Sequence, residues 1–249
     1  MAKKYRHRIH ELFSEEKLDG LVKIMRNPLF TNNDDRIDAI LELLKDLDVT
    51  LLGGGTNRVG ILIEDYVYKI AMDTRGVRDN WNEFNTSVDL QPYVTKTYES
   101  NGLINVAEYV NLITREEFID SIDHIRAMLE VLSEDWLFSD LSLQLKNCVN
   151  YGWRDNGDLV ILDGGYIYPI DRRIMHCMEC GTELKWDSKF INLVCPKCKM
   201  KHDPIDIRDR MWRDEDDFER EVKAKEERKK RGLVTLNLGP AWESKRRGR

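Results

Sequence analysis

The sequence predicts an α+β fold in which an antiparallel sheet is followed by a mainly helical region and a small cysteine-rich segment. Three observations lead to this prediction. Short apolar runs alternate with glycine and Asn-Gly turn signals between residues 48 and 110. A capping box then opens a helical pattern near residue 114. Four of the five cysteines lie in two CxxC pairs.

The same patterns divide the chain into five regions. At 249 residues it can bury one core of roughly 150 residues and a smaller one beside it. The predicted bounds are 1–47 for N-terminal helices, 48–110 for the sheet, 111–174 for a reduced helical region, 175–203 for a cysteine ribbon and 204–249 for a charged helix and basic tail.

Composition and charge exclude several classes of protein. The formal net charge is −6, so the chain is not coated in positive charge. No apolar run approaches the roughly 18 residues of a membrane span, and we expect no membrane partner. The basic start is not followed by a hydrophobic segment, which argues against a secretory signal. We expect the protein to be cytoplasmic.

Three short strands are predicted between residues 50 and 70. A glycine loop of Gly53, Gly54 and Gly55 joins the first two strands, and Lys69 lies near the end of the third. The backbone N–H groups of such a loop can lie over phosphate oxygens. Glycine-rich turns also close ordinary hairpins, so the loop alone does not establish a phosphate site.

A short helix and a hairpin follow these strands. Residues 80–90 are predicted to be helical and carry Glu83, fourteen positions after Lys69. The apolar residues of this helix share one face: Trp81, Phe84 and Val88. Asn101-Gly102 is a strong two-residue hairpin signal between strands predicted at Tyr93–Glu99 and Leu103–Val110, and Glu108 lies in the second of these strands.

Three further polar side chains lie in the second half of the chain. Asp140 follows the helix that begins near residue 114. Two strand-like runs come next, Cys148–Tyr151 and Leu159–Leu162. Asn147 opens the first run. Asp140 precedes this strand and Asp163 ends the second, so the loops that carry these two aspartates are expected to open at one edge, where Asp140, Asn147 and Asp163 are predicted to converge.

Cys177, Cys180, Cys195 and Cys198 form two CxxC pairs with fourteen residues between them. In an unexported protein this arrangement indicates a metal site rather than disulfides. Four thiolates complete a tetrahedral zinc ion and leave no open position, so the predicted zinc is structural. Cys148 stands apart and receives no role.

The segment between the CxxC pairs is predicted to be a hairpin with strands at Thr182–Trp186 and Phe190–Val194. The ribbon is basic, and a second basic cluster lies between residues 223 and 231. The ribbon lysines are Lys185, Lys189, Lys197, Lys199 and Lys201. A basic ribbon and tail favour a protein or nucleic-acid partner, although a solvated helix face would have the same composition.

The order of these groups resembles the protein-kinase-like superfamily: glycine loop, strand lysine, helix glutamate, hinge, catalytic aspartate, metal asparagine and metal aspartate. The resemblance covers about residues 48–170. In overall pattern, this part of the sequence is similar to small kinase-like proteins of large tailed bacteriophages. It implies a two-lobed fold, with an antiparallel N-lobe sheet and a reduced helical C-lobe. A phage origin would place this viral protein in the host cytoplasm.

The resemblance also implies roles in phosphoryl transfer, which depends mainly on positioning and charge neutralisation. Lys69 would contact the α- and β-phosphates of ATP and be oriented by Glu83. Asn147 and Asp163 would hold Mg²⁺. Asp140 would accept the proton of an acceptor hydroxyl.

The same resemblance implies the remaining nucleotide contacts. The glycine loop, Gly53, Gly54 and Gly55, would cover the phosphates. The backbone of Glu108 and Val110 would bind the adenine edge.

The sequence departs from the kinase pattern in several places. Arg58 stands where the third glycine of G-x-G-x-x-G would be, although an arginine there could itself reach phosphate. Phe138-Ser139 replaces His-Arg, and Asn147 follows Asp140 by seven residues rather than five. Asp163 is followed by two glycines without a phenylalanine, and only about a dozen residues separate it from the first zinc cysteine.

The short segment between Asp163 and Cys177 leaves little room for the helical peptide-binding lobe of a kinase, which excludes an ordinary serine/threonine protein kinase. Three interpretations remain open: an atypical phosphotransferase with an unknown acceptor, a nucleotide-binding pseudokinase, and a scaffold. The retained charges favour nucleotide binding, because unpaired buried charges destabilise a fold. An alternative of another class is a nucleic-acid, polymerase-associated or virion binding module that uses the ribbon and tail.

Overall fold

The computed structural model of the protein describes residues 8–139, 145, 148–170, 175–188 and 192–209. These residues form a mixture of helices and antiparallel sheets, as the sequence predicts. Within these ranges, no helix has the length and apolar character needed to cross a membrane.

Three helices precede the sheet: α1 (Ile9–Leu12), α2 (Glu15–Arg26) and α3 (Asn33–Leu43). Ser14 caps α2 by accepting from the N–H of Lys17, and Asn32 caps α3 in the same way. Their apolar side chains are buried in one core with the sheet, which anchors the helices to it. This core includes Ile9, Phe13, Leu21, Ile40, Leu44, Ile61, Tyr68 and Ile70.

The largest sheet has five strands: β1 (Val49–Gly54), β2 (Arg58–Ile63), β3 (Tyr66–Ala71), β4 (Thr97–Ser100) and β5 (Ile104–Glu108). All neighbouring pairs are antiparallel, and the order across the sheet is β1-β2-β3-β5-β4. The predicted glycine connection between the first two strands and the predicted hairpin are therefore confirmed. Lys69 lies on β3, opposite Gly60 on one side and Asn105 on the other.

Helix α4 (Thr74–Asp89) connects β3 to β4 and is longer than the predicted helix over 80–90. It begins earlier because Asp73 accepts from the N–H of Gly76 at 2.8 Å and so caps the helix. Its apolar face is not the buried one, since Trp81 is 45% exposed and Val88 71% exposed. The buried face is polar and consists of Asp79, Asn80, Glu83, Thr86 and Ser87.

Hydrogen bonds explain how α4 can bury this polar face. Asn80 donates to the backbone carbonyl of Gly102 at 2.8 Å and to that of Lys69 at 3.2 Å. Asn105 on β5 donates in turn to the backbone carbonyl of Asn80 at 2.9 Å. Satisfied polar groups can be buried without the usual desolvation penalty, so polar contacts hold this face of α4 to the sheet.

Two helices follow the sheet, α5 (Arg115–Asp120) and α6 (Ile122–Leu132). The predicted capping box is confirmed: Thr114 accepts from the N–H of Glu117, and the Glu117 side chain accepts from the N–H of Thr114. Their inward side chains form a second core with the strands that follow. Those side chains are Phe118, Ile125, Met128, Leu129 and Leu132.

The remaining strands of this region form two small antiparallel sheets. One has the order β6-β8-β9, from β6 (Asn111–Leu112), β8 (Tyr151–Trp153) and β9 (Leu159–Ile161). The other pairs β7 (Trp136–Phe138) with β10 (Ile167–Pro169). The strand predicted at 148–151 begins only at residue 151, because residues 148–150 form a 3₁₀ turn.

The cysteine segment forms a three-stranded antiparallel sheet of β11 (Lys185–Trp186), β12 (Leu193–Val194) and β13 (Lys201–His202). The first two strands are a shorter version of the predicted hairpin, and β13 adds a strand that was not predicted. The ribbon shares a core with the β7–β10 pair. This core comprises Leu137, Tyr168, Met175, Cys177, Leu184, Leu193, Cys195 and Ile207.

Candidate functional site

The predicted ion pair between Lys69 and Glu83 is present. Lys69 Nζ lies 2.5 Å from Glu83 Oε1, which joins β3 to α4. Glu83 is only 1% exposed. A charge pair at this depth is screened little by solvent, so each charge fixes the position of the other.

Lys69 also links the five-stranded sheet to the end of β9. Its Nζ donates to the backbone carbonyl of Leu162 at 2.6 Å, and Thr95 Oγ1 donates to the same oxygen at 3.2 Å. Leu162 follows β9 and immediately precedes Asp163. The strand lysine and the predicted metal aspartate therefore lie side by side.

Arg58, at the start of β2, lies in the centre of this cluster and is only 8% exposed. Its Nη1 donates to Glu83 Oε2 at 2.5 Å and to Asn80 Oδ1 at 3.1 Å. Its Nη2 forms an ion pair with Asp163 Oδ1. The arginine that was expected to reach phosphate is thus bound to two carboxylates from different parts of the chain.

These contacts determine how the cluster is charged. Burial opposes ionisation of Asp163, but the positive charges of Arg58 and Lys69 outweigh it and hold the pKa of Asp163 below its ordinary value. Burial likewise disfavours the arginine cation, yet Asp163 and Glu83 raise the pKa of Arg58 above its usual range. Arg58 and Asp163 are therefore both charged at neutral pH.

Asp79 is a member of the cluster that the sequence reasoning missed. Burial raises the pKa of Asp79 above its ordinary value, and Asn57 Nδ2 donates to its Oδ2 at 3.0 Å. The other polar side-chain atom of Asn57, Oδ1, is buried without a hydrogen-bond partner among the described residues. The available sequence signal was the polar face of α4, in which Asp79 and Glu83 are four residues apart.

The glycine loop is held by the N-terminal helices. Asn33 at the start of α3 donates to the backbone carbonyls of Gly55 at 3.1 Å and Thr56 at 2.9 Å. Gly54 packs against Ile37, and a Cβ added to it would lie 2.4 Å from Ile37 Cδ1. The Gly55 N–H donates to the Arg58 carbonyl at 2.8 Å, so one predicted phosphate donor is already engaged.

Glu108, which ends β5, connects the five-stranded sheet to Arg154, which directly follows β8. Its carboxylate accepts from Arg154 Nη2 at 2.6 Å, and Arg154 also donates to the backbone carbonyls of Pro92 and Val94. The Glu108 N–H donates to Lys96 O at 2.9 Å and is not free for an adenine. Adenine contacts at this predicted hinge would need the backbone of residues 109–110.

Asp140 and Asn147 lie outside the described residues, and their convergence with Asp163 stays a prediction. The neighbouring Ser139 is described, and its N–H donates to the backbone carbonyl of Tyr166 at 2.9 Å. The end of the segment that leads to Asp140 therefore lies beside the turn that follows Asp163.

The described residues do not by themselves form the expected magnesium site. Asp163 already pairs with Arg58, and the second expected ligand, Asn147, is outside the described ranges. Among the described residues, the group of His, Cys, Asp or Glu side chains that could hold a metal consists of the four predicted cysteines.

The four cysteine Sγ atoms all lie within 4.8 Å of one another. The separations are 3.5 Å for Cys177 and Cys198, 3.4 Å for Cys180 and Cys195, and 3.8 Å for Cys180 and Cys198. A tetrahedral metal with sulfur ligands at about 2.3 Å gives sulfur–sulfur distances of about 3.8 Å. The cluster is therefore positioned to bind a metal.

The backbone of both CxxC pairs supports this geometry. The Gly181 N–H donates to the Cys177 carbonyl at 2.8 Å, and the Lys199 N–H donates to the Cys195 carbonyl at 2.9 Å. Gly181 and Lys199, each directly after the second cysteine of a pair, have φ angles of 67° and 63°. The two halves of the site thus have the same turn. Within the described ribbon, Lys185, Lys197, Lys199 and Lys201 are exposed.

Comparisons with known proteins add little detail. No family model and no curated protein matches the sequence. One similar solved structure is the ternary complex of APH(2″)-IIa with streptomycin and ATP, with 12% identity, 57% of this chain and 76% of that chain covered, and a TM-score of 0.32. Another is the complex of Rv3197 with erythromycin from Mycobacterium tuberculosis, with 13% identity, 66% and 60% covered, and a TM-score of 0.32. At such scores neither assigns a ligand or a residue to this chain.

Proposed function

We propose that this chain is a kinase-like nucleotide-binding protein in which Lys69, oriented by Glu83, contacts the phosphates of a nucleotide such as ATP. The observation that carries the proposal is the Lys69–Glu83 ion pair, placed next to the end of β9. In protein kinases the phosphate-binding lysine lies on the third strand and pairs with a glutamate of the following helix. Lys69 on β3 and Glu83 on α4 have the same relation.

Phosphotransfer is the finer part of this proposal. Asp140 would accept the proton of an acceptor hydroxyl, whose chemical class stays open. Asp140→Ala is expected to leave nucleotide affinity within about twofold while removing transfer, because a general base acts on the acceptor and not on the nucleotide. Single-turnover assays with γ-labelled ATP would measure this, and full transfer by the variant would assign the base elsewhere.

The test of nucleotide binding is a calorimetric titration with ATP. Lys69→Met should weaken binding at least tenfold, because it removes the charge that faces the phosphates. Lys23→Met is a matched control, since Lys23 is exposed on α2 and is not one of the residues of the cluster. The proposal fails when wild type shows no saturable heat, or when both variants bind like wild type.

The metal of the four-cysteine cluster is, in this proposal, a structural zinc ion. Four thiolates are the usual ligands of structural zinc, and the sulfur spacing fits its bond length. Elemental analysis of protein purified without chelators should return about one zinc per chain. Protein that is folded but free of zinc would contradict this assignment.

The exposed ribbon lysines favour a second function, a binding module that contacts nucleic acid through the ribbon and tail. Backbone phosphate contacts release counterions, so affinity would fall log-linearly with salt. Binding of a labelled oligonucleotide between 50 and 200 mM salt distinguishes this function from nucleotide binding. The similarity to bacteriophage proteins and a role in a virion stay predictions.

A further inference from the structure

Arg58 lies where the end of the glycine loop, α4 and the end of β9 meet. Its guanidinium bridges Glu83 and Asp163, which come from positions 25 and 105 residues further along the chain. A nucleotide whose phosphates reach Lys69 would meet this guanidinium beside Asp163. The cluster thus already contains a cation at the carboxylate that was expected to hold Mg²⁺.

The surrounding backbone is shaped to admit the arginine. A Cβ added to Gly165 would lie 2.9 Å from Arg58 Nη2, so the second glycine after Asp163 makes room for the guanidinium. The Gly165 N–H also donates to Asp163 Oδ1 at 3.1 Å, the oxygen that pairs with Arg58. Tyr168 fixes this turn by donating to the Gly165 carbonyl at 2.9 Å.

The two cations of the cluster are already matched by carboxylates. Arg58 and Lys69 supply two positive charges, Glu83 and Asp163 supply two negative charges in direct ion pairs, and Asp79 adds a further carboxylate near Arg58. A divalent cation on Asp163 would lie against the guanidinium and compete for its carboxylate. Arg58 is buried, so any loss of its counterion leaves a charge that water cannot solvate.

We propose that Arg58 is a resident counterion that takes the place of the divalent metal ion at Asp163, so that the site binds nucleotide without Mg²⁺. This inference rests on the proposed nucleotide-binding function. It also predicts that the γ-phosphate adds little affinity, because cations that are already paired with carboxylates gain little from an additional anionic group. ADP and ATP should therefore bind with affinities within about threefold of each other.

The test is calorimetric titration of zinc-loaded protein with ATP and ADP, with and without 5 mM Mg²⁺. The metal-free arm uses buffer without divalent cations and no chelator, because a chelator would strip the cysteine site. Wild type should bind equally well in both arms, within about threefold. Binding at least tenfold tighter with Mg²⁺ would overturn the proposal.

Two substitutions sharpen the result. Arg58→Met should make ATP binding depend on Mg²⁺ by tenfold or more, whereas Arg58→Lys, which keeps the charge, should not. Circular dichroism shows whether each variant is folded. An Arg58→Met variant that folds and still binds ATP equally in both arms would contradict the role of Arg58.

A measurement with the metal alone separates this inference from the proposed function. Electron paramagnetic resonance measures how much Mn²⁺ binds to the protein. Wild type and Asp163→Asn should bind the same amount, because Asp163 is not expected to hold a divalent cation. When wild type binds no nucleotide in either arm, the proposed function fails, and the Mn²⁺ result still decides the inference. Tight Mn²⁺ binding that Asp163→Asn abolishes would overturn it.

Discussion

The rings of Phe138 and Trp186 lie 6.2 Å apart between centroids, at an interplanar angle of 60°. Phe138 ends β7, directly before the segment that leads to Asp140, and Trp186 belongs to the cysteine ribbon. Arg208, beyond the ribbon, donates to Ser139 Oγ at 3.4 Å. The ribbon is therefore packed against the segments that flank the candidate site.

This packing predicts which strands are destabilised when the cysteine-bound metal is removed. Cys177→Ser should remove the metal and loosen β7 and β10 as well as the ribbon, since they share one core. Strands β1–β3 belong to a different core and should be unaffected. Hydrogen exchange by mass spectrometry should show faster exchange at 136–138 and 167–169 but not at 49–71.

Cys148→Ser is the control for this experiment, because Cys148 is a free cysteine outside the cluster. It should keep the metal content and the exchange pattern of wild type. If the Cys177→Ser variant exchanges faster throughout its five-stranded sheet, the metal supports the whole fold and not only the ribbon, β7 and β10.

The turn glycines provide a second prediction. Gly102 and Gly157 both have positive φ, 79° and 86°, and replacing either by alanine should destabilise the fold by about 1–2 kcal/mol. Gly102→Ala should destabilise the fold by about 1–3 kcal/mol more, because its Cβ would lie 2.4 Å from Trp81 Nε1. At Gly157, no atom of the described residues lies within 4 Å of an added Cβ. Urea unfolding measures both.

A double-mutant cycle separates the two effects. In the Trp81→Leu background, Gly102→Ala should no longer show the additional destabilisation from the contact with Trp81. The destabilisation that comes from the positive φ angle should remain. Equal losses for the two alanine variants would show that Trp81 moves aside without strain.

The sequence predicted the elements whose signals are local. The hairpins carry their turn residues between the strands they join, and Lys69 and Glu83 lie on consecutive elements, so strand and helix assignment sufficed to bring them together. The capping box at Thr114 depends only on residues three apart and could also be predicted from the sequence.

Long-range contacts were not predictable in the same way. The pairing of Arg58 with Asp163 joins residues 105 apart, and nothing in the pattern around either residue indicates the other. The buried face of α4 was also missed, because apolar periodicity indicates Trp81 and Val88 as the inward residues. Burial of polar side chains depends on partners such as Asn105, which lie on other elements.

Glu83 should be among the most sensitive positions for stability. Glu83→Gln leaves Arg58 and Lys69 with one carboxylate fewer in a buried setting, and we expect a loss of about 3–5 kcal/mol in the free energy of unfolding. Glu42→Gln is the control, since Glu42 pairs with Lys45 on the exposed side of α3 and surface pairs contribute little. Similar unfolding midpoints for the two variants would contradict a buried, charged cluster.

The last prediction concerns pH and uses two aspartates shifted in opposite directions. The pKa of Asp163 is lowered in the fold, so its ionised form stabilises the protein above the unfolded pKa of about 3.9. That contribution is lost as pH falls through the folded pKa. Asp163→Asn should therefore lower the melting temperature at pH 7, and its difference from wild type should shrink below about pH 4.

The pKa of Asp79 is raised, mainly by burial, so its ionised form destabilises the fold at neutral pH and the penalty is relieved as pH falls. Asp79→Asn keeps an oxygen that can accept from Asn57 and should raise the melting temperature at pH 7, with the gain fading in acid. Each variant is compared with wild type at the same pH, so that acid loss of the cysteine-bound metal affects both alike. A stabilising Asp163→Asn or a destabilising Asp79→Asn at pH 7 would reverse the assigned charges, and with them the Arg58-centred arrangement on which the metal-free site depends.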